Sequence, residues 1–123
     1  MSKKTNPDKR AKELHNAINN KSSLNYVTIA VLTTETETVI VGTNETKLRK
    51  EQKKALLENE IEAESESGKH AEENAINKAK KLGLKGKEIG ASRPICSDCE
   101  KTIQEENIIP VTELKGKKSK KRL

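Results

Sequence analysis

The sequence predicts an α/β fold in which helices cover a β-sheet. Helical and strand-like patterns alternate along the chain in the order α-β-β-α-β-α-β, and 123 residues suffice for about one compact domain. Alternating strands and helices favour a helix-covered sheet, and right-handed crossovers place neighbouring strands parallel. We therefore expect a single domain over residues 1–114, followed by a basic, disordered tail over residues 115–123.

The first half of the chain predicts a helix, a β-hairpin and a charged segment. Asn6 suits the N-cap of a helix that has Pro7 at its first position. Residues 24–33 are a nearly continuous run of β-forming residues, which suits a strand buried on both faces. Residues 38–42 follow a polar turn and complete a hairpin with that strand. The charged segment 45–62 is expected to be helical, although its apolar face is weak.

The second half of the chain predicts a loop followed by helix, strand, helix and strand. The helix has apolar residues along one side, and Gly83 suits its C-terminal stop. These five elements are expected at residues 64–68, about 70–82, 88–92, Cys96 to about Asn107, and 108–112.

The composition indicates a lean hydrophobic core. Hydrophobic residues make up 31% of the chain, Phe and Trp are absent, and Tyr26 is the one aromatic residue. A bound metal that joins distant segments would help such a small domain to hold its shape.

The net charge of +6 first suggests a nucleic-acid binder, but the excess charge lies in the tail. Residues 115–123 hold six of the 25 basic residues and no acid, which leaves 19 basic and 19 acidic residues elsewhere. The tail is either a solvated end or an arm that contacts a polyanion. No segment approaches the roughly 20 apolar residues of a membrane span, and the N-terminus has no apolar signal region.

Two short motifs carry the candidate chemistry. His70 is two residues before Glu72, Cys96 is three residues before Cys99, and each pair opens a predicted helix. Cysteine thiolates are favoured at helix N-termini, and an imidazole with two thiolates is a zinc ligand set. Three protein ligands leave the fourth position for water, as in catalytic zinc sites. His15 could fill that position, but beside the apolar stripe of the first helix it is expected to be a half-buried core histidine.

Glu72 is the candidate proton carrier. Residues i and i+2 of a helix differ by about 200°, so His70 and Glu72 can serve one site only if the helix points end-on at the metal. Glu72 would then lie next to a metal-bound water and take its proton without binding the metal. The adjacent Glu73 is the competing candidate, and its alternative role is a favourable charge in the first helical turn.

His-Ala-Glu followed by Pro-x-Cys-x-x-Cys resembles the signature of the cytidine deaminase-like superfamily. The resemblance covers residues 24–112 and implies a three-layer α-β-α sandwich with a mixed sheet of four to five strands. It also implies a Zn²⁺ cofactor, with attack of zinc-bound hydroxide on C4 of cytosine. The sequence departs from the pattern in having Ile95 between Pro94 and Cys96.

Within that superfamily, the segments 68–76 and 92–100 resemble the C-terminal deaminase domains of bacterial polymorphic toxins. This resemblance implies a domain delivered as part of a larger secreted toxin that acts in the cytoplasm of a target cell. Its substrate would be single- or double-stranded DNA or RNA, and a cognate immunity protein would block it.

The resemblance also suggests substrate contacts. Asn44 would hydrogen-bond the substrate sugar or would be a simple turn residue. Arg93 would approach the base through its backbone or bind a phosphate, and Tyr26 would stack on a base or lie in the core. The full set of suggested contacts is Tyr26, Asn44, Ala71, Ser92, Arg93 and Pro94.

Two alternatives to a nucleic-acid deaminase stay open. The first is deamination of a free nucleoside or nucleotide by the same chemistry. The second is a non-catalytic protein in which the two cysteines form a redox dithiol or half of a structural zinc clip. The sequence does not separate cytosine from adenine or DNA from RNA.

Overall fold

A computed structural model describes residues 5–18, 27–66 and 68–114 of the chain. When the helix expected in the segment 45–62 is counted, its helices and strands follow the predicted order, with one additional strand. In chain order they are α1 (Pro7–Asn16), β1 (Ile29–Thr34), β2 (Val39–Thr43), α2 (Lys50–Ala55), β3 (Glu60–Glu62), α3 (Ala71–Leu82), β4 (Gly86–Ala91), α4 (Ser97–Glu105) and β5 (Ile109–Pro110).

The strands form one mixed sheet in the order β3-β2-β1-β4-β5. Strand β1 pairs antiparallel with β2, as the predicted hairpin requires, and also antiparallel with β4. The outer pairs β2–β3 and β4–β5 are parallel. The expectation of parallel neighbours therefore holds for β4–β5 and fails for β1–β4. The crossover that reaches β4 starts from β3 and passes β2 and β1, so β4 runs parallel to β2 and β3 but lies beside the antiparallel β1.

Helices cover both faces of the sheet, and each face has its own apolar core. Helix α1 contacts β1, β4 and α2, whereas α3 contacts β2, β1, β4 and α4. The α1 side buries residues such as Leu14, Val31 and Leu48, and the α3–α4 side buries Leu32, Ile76 and Ile103. This arrangement is a three-layer α-β-α sandwich with five strands, in agreement with the predicted fold class.

The charged segment 45–62 corrects the sequence-based expectation of one helix. Helix α2 covers only Lys50–Ala55, and β3 follows at the sheet edge. The side chain of Glu60 is fully buried and pairs with Arg10 of α1, at 2.8 Å from Nε and 2.9 Å from Nη2. Arg10 also donates to the carbonyl of Ala55, at 2.6 Å. This long-range ion pair holds the chain against α1, so the segment turns after α2 and joins β2 instead of continuing as a helix.

The last predicted strand is shorter than expected. Strand β5 covers only Ile109–Pro110 rather than 108–112, and proline cannot donate a hydrogen bond to a neighbouring strand. Beyond it, the hydroxyl of Thr112 accepts from the backbone N–H of Ala91 at 2.8 Å and lies 2.7 Å from the carboxylate of Asp8. The segment after β5 is therefore held by the side chain of Thr112 and by backbone pairing of Ile95 with Glu113 and Leu114, rather than by a longer strand.

The domain bounds and the tail at 115–123 stay predictions, because the tail lies outside the described residues. Among the helices of the described residues, none is long and apolar enough to cross a membrane.

Candidate metal centre

The candidate ligands lie where helices α3 and α4 begin. His70 is the N-cap of α3 and Cys96 is the N-cap of α4, and both have extended backbone conformations. The prediction that each motif opens a helix is therefore confirmed. Helix α4 follows β4 directly, and α3 follows the loop after β3. Both helices start at the sheet edge where the parallel strands end.

Three potential ligand atoms converge at this edge. One ligand atom each from His70, Cys96 and Cys99 lies within 4.8 Å of the others, so this group could hold a metal ion. The Nδ1 atom of His70 is 3.7 Å from the Sγ atom of Cys96. His70 is exposed, Cys96 is half-buried and Cys99 is fully buried, so the group is accessible from the histidine side.

His15 is not part of this group. It lies on α1, which packs on the opposite face of the sheet from α3 and α4, and its side chain is half-buried. This placement agrees with the expectation that His15 is not a ligand. Among the described residues, the group therefore offers three protein ligands rather than four.

Glu72 lies beside the three ligands. Glu72 is 3% exposed, and its Oε1 atom is 3.7 Å from the Sγ atom of Cys99. Burial raises the pKa of the Glu72 carboxyl above its usual range, against smaller lowering effects from its own backbone N–H and from His70. The expected end-on approach of α3 is consistent with this arrangement, because His70 and Glu72 reach the same group from one helix start although they are two positions apart.

The charges of the site fit a bound cation. Burial and the neighbouring Glu72 carboxylate raise the pKa of the Cys99 thiol. Without a cation, the buried thiol stays protonated beside a buried acid. Metal ions reverse this preference, because a coordinating thiol loses its proton and a dication offsets the carboxylate. Imidazole and thiol donors are the ligand types of structural and catalytic zinc sites.

Glu73 has a structural contact of its own. Its Oε1 atom accepts a hydrogen bond from the backbone N–H of His70, at 2.9 Å. A glutamate three residues after the N-cap commonly makes this contact at a helix start. Glu73 therefore holds the backbone of the candidate ligand His70, which agrees with its alternative role in the first turn.

Sequence reasoning missed two residues that fix the position of α3. The side chain of Asn74 is buried, donates to the carbonyl of Thr43 at 2.9 Å and accepts from the N–H of Glu66 at 3.2 Å. At Gly42, a Cβ atom would overlap the carbonyl oxygen of Ala71. Strand β2 and the first turn of α3 are thus in backbone contact. An asparagine on the otherwise apolar side of a predicted helix was the signal for Asn74.

Two of the suggested substrate-contact residues use their side chains to accept hydrogen bonds from the backbone at this edge. Asn44 is exposed, but its Oδ1 atom accepts from the N–H of Thr28 at 2.9 Å. The hydroxyl of Ser92 accepts from the N–H of Ile29 at 2.9 Å, and the backbone N–H of Ser92 donates to the carbonyl of Ile29 at 2.8 Å. The structure therefore brings both residues to the edge where α3 and α4 begin. Their contacts with a substrate stay predictions.

The other suggested contacts differ in exposure. Ala71 is buried, Arg93 is half-buried and Pro94 is exposed. Tyr26 lies outside the described residues. Ile95, the residue that departs from the family pattern, is fully buried and pairs with Leu114 in an isolated bridge. The additional residue therefore anchors the loop before Cys96 in the core.

A groove of about 880 Å³ lies elsewhere on the protein. Its lining comes from the start of α1, the β1–β2 turn and the start of β4, and it includes Thr36, Lys87 and Glu88. None of the candidate ligands lines it, so its position does not mark the metal group.

Comparisons with family models, with curated proteins and with solved structures find no match for this chain.

Proposed function

We propose that this protein is a zinc-dependent nucleobase deaminase that converts cytosine to uracil in nucleic acid. One observation carries the proposal. The imidazole of His70 and the sulfurs of Cys96 and Cys99 converge within 4.8 Å, and the buried carboxylate of Glu72 lies 3.7 Å from Cys99. This combination of ligands and acid is the one that the resemblance to the cytidine deaminase-like superfamily requires.

The ligand set favours zinc and leaves room for a reactant. An imidazole with two thiolates suits zinc, and a site with three protein ligands keeps its fourth position for water. Zinc, when bound, lowers the pKa of a water molecule so that it becomes a nucleophile near neutral pH. The exposure of His70 provides an approach to the group from solvent.

Glu72 performs the proton transfers in this proposal. Its carboxylate takes a proton from the attacking water while the water oxygen bonds to C4 of cytosine. It delivers that proton to ring N3, then takes the second proton from the new hydroxyl on C4 and delivers it to the amino group. The C4–N4 bond breaks, ammonia leaves and uracil remains. Burial raises the pKa of the Glu72 carboxyl, which suits a group that must hold a proton between two transfers.

The biological setting follows from the resemblance to toxin domains. In this proposal the domain is delivered from a larger secreted protein into a target cell, where it acts on DNA or RNA. A cognate immunity protein would cover the exposed side of the site.

Deamination of purified substrates tests the proposal. The zinc-loaded protein is incubated with single- and double-stranded cytosine oligonucleotides, with adenine oligonucleotides and with cytidine, and products are measured by mass spectrometry. We expect conversion of cytosine to uracil. Glu72→Gln should lower turnover by about 10²- to 10⁴-fold, the usual contribution of a positioned acid–base group.

Glu73→Gln is the matched control, because glutamine can replace glutamate in the helix-start contact with His70. This variant should keep most of the turnover. Full activity of Glu72→Gln would contradict the proposed mechanism. Genome and transcriptome sequencing of cells that express the domain, with Glu72→Ala as control, would then name the base and the polymer.

A redox role for the two cysteines is the main non-enzymatic alternative. The pKa of the buried Cys99 thiol is raised. A smaller fraction of Cys99 is therefore in the thiolate form than in a reactive dithiol, whose cysteine has a lowered pKa. Metal analysis separates the two hypotheses. About one zinc per chain supports the deaminase, whereas a metal-free protein with a titratable disulfide supports the redox module.

A further inference from the structure

Arg93 differs from the other arginines in the described part of the chain. Arg10 pairs through two nitrogens with Glu60. Arg49 pairs in the same way with Glu45, at 2.9 Å and 2.7 Å. Arg93 is half-buried, and among the described residues it makes no hydrogen bond or ion pair. A half-buried arginine without a carboxylate partner is unusual in this chain, because charged residues make up 36% of it.

The backbone on both sides of Arg93 is held in place. Ser92, directly before it, exchanges two hydrogen bonds with Ile29 through its hydroxyl and its N–H. Pro94, directly after it, restricts the backbone of Arg93 to extended conformations. Ile95 is fully buried, and its N–H donates to the carbonyl of Glu113 at 3.0 Å. Arg93 therefore projects from a fixed loop three residues before the ligand Cys96.

The two acids in the first turn of α4, Asp98 and Glu100, make no ion pair with Arg93. Asp98 is exposed. The carboxylate of Glu100 is buried and accepts from the side chain of Gln104 at 3.2 Å. A guanidinium presents five donors in a planar fork that matches the oxygens of a phosphate.

We propose that Arg93 binds a phosphate of the substrate, so that the site acts on nucleotides or polynucleotides in preference to free nucleosides. This inference rests on the proposed function, since it assumes that a nucleobase occupies the metal group beside Arg93. It gives the nucleic-acid hypothesis a basis in the folded domain, independent of the basic tail.

A binding measurement tests the phosphate contact without any deamination. Thymine carries no amino group to lose, so thymidine and thymidine 5′-monophosphate serve as inert probes for the zinc-loaded full chain. The side-chain Nε–H signal of Arg93, identified by its loss in Arg93→Gln, is followed by NMR during both titrations. We expect the signal to move with the monophosphate and to stay in place with thymidine. Equal responses to the two probes would overturn the proposal.

Turnover on paired substrates gives the second measurement. Arg93→Gln should lower kcat/KM for cytidine 5′-monophosphate or a short oligonucleotide by about tenfold or more, as for a lost hydrogen bond to a charged group. It should lower kcat/KM for cytidine by a much smaller factor, and Arg93→Lys should keep part of the preference. Lys87→Gln removes a charge at the far end of β4 and should change neither value.

The two measurements separate the two proposals. If no substrate is deaminated but the Arg93 signal responds to the monophosphate alone, the phosphate site stands and the deaminase proposal fails. If cytosine is deaminated but Arg93→Gln affects phosphorylated and free substrates equally, the deaminase proposal stands and the phosphate site is wrong.

Discussion

The Oε1 atom of Glu72 lies 3.7 Å from the Sγ atom of Cys99, across the gap between the start of α3 and the start of α4. Glu72 is 3% exposed and Cys99 is fully buried. A carboxyl and a thiol therefore share a desolvated space, and burial is the main cause of the raised pKa of both. The Glu72 carboxylate raises the pKa of the Cys99 thiol further, whereas the hydrogen bond from that thiol lowers the pKa of the Glu72 carboxyl. A metal ion held by His70, Cys96 and Cys99 would favour the charged forms of both groups.

The metal ion should be coordinated by three residues of the described chain. We expect about one zinc per chain after dialysis, measured by elemental analysis, and loss of this zinc in His70→Ala, Cys96→Ser and Cys99→Ser. Because zinc binds the folded protein, it should also stabilise it, by about 2.7 kcal/mol when free zinc is a hundred times its Kd. His15→Ala is the control on the opposite face of the sheet and should keep its zinc. Loss of zinc in that variant would contradict the three-ligand site.

The stability of the zinc-free protein should depend on pH through Glu72. Since burial raises the pKa of this carboxyl, the folded state holds a proton that the unfolded state releases near pH 4.3. The free energy of unfolding therefore falls as pH rises from the ordinary glutamate pKa to the raised one, and this contribution is constant above it. Glu72→Gln removes the effect, so its stability relative to wild type should increase over that interval. Urea denaturation with chelator and reductant measures both proteins, and parallel curves would show that Glu72 is not responsible.

Asn74 should stabilise both the fold and the metal site. Asn74→Ala loses a buried hydrogen bond to Thr43 and a half-buried one from Glu66, which should lower the free energy of unfolding by about 1–3 kcal/mol. It should also weaken zinc binding, because Asn74 fixes α3 to the end of β2. Asn77→Ala, half-buried on the same helix, should change each value by less. If Asn74→Ala binds zinc with wild-type affinity, the Asn74 side chain contributes to stability and not to the metal site.

Gly42 and Gly90 provide a matched pair of backbone contacts on opposite faces of the sheet. A Cβ atom at Gly42 would overlap the first turn of α3 at Ala71, and one at Gly90 would overlap the start of α1. Either substitution by alanine should lower the free energy of unfolding by about 1–3 kcal/mol, as overpacking commonly does. Only Gly42→Ala should weaken zinc binding, measured by competition with a chelator. An equal effect from Gly90→Ala would mean that general loss of stability, not displacement of α3, releases the metal.

Local patterns predicted the parts of the fold that depend on local interactions. The start of α1 at Pro7, the hairpin and the end of α3 at Gly83 follow from caps, turns and strand composition. The convergence of His70 with Cys96 and Cys99 was also predictable, because each motif opens a helix.

Long-range contacts account for what the sequence did not reveal. Strand β3 has the sequence Glu-Ile-Glu, and glutamate is uncommon in strands. The position of β3 depends on the ion pair between Glu60 and Arg10, which are fifty positions apart. The hydrogen-bond partners of the buried Asn74 likewise come from a strand end and a loop. Neither contact leaves a periodic pattern in the sequence.

The N-cap positions of α3 and α4 constrain how this domain can be improved by engineering. Serine, threonine, aspartate and asparagine are the residues that cap helices best, and replacing a poor cap by one of them gains about 1 kcal/mol. Here those positions belong to His70 and Cys96. In the zinc-free protein, a stability screen that optimises helix caps would therefore select variants that each lack a candidate ligand and the stabilisation that bound zinc would add. Stabilising changes should instead be sought on α1 and the outer strands.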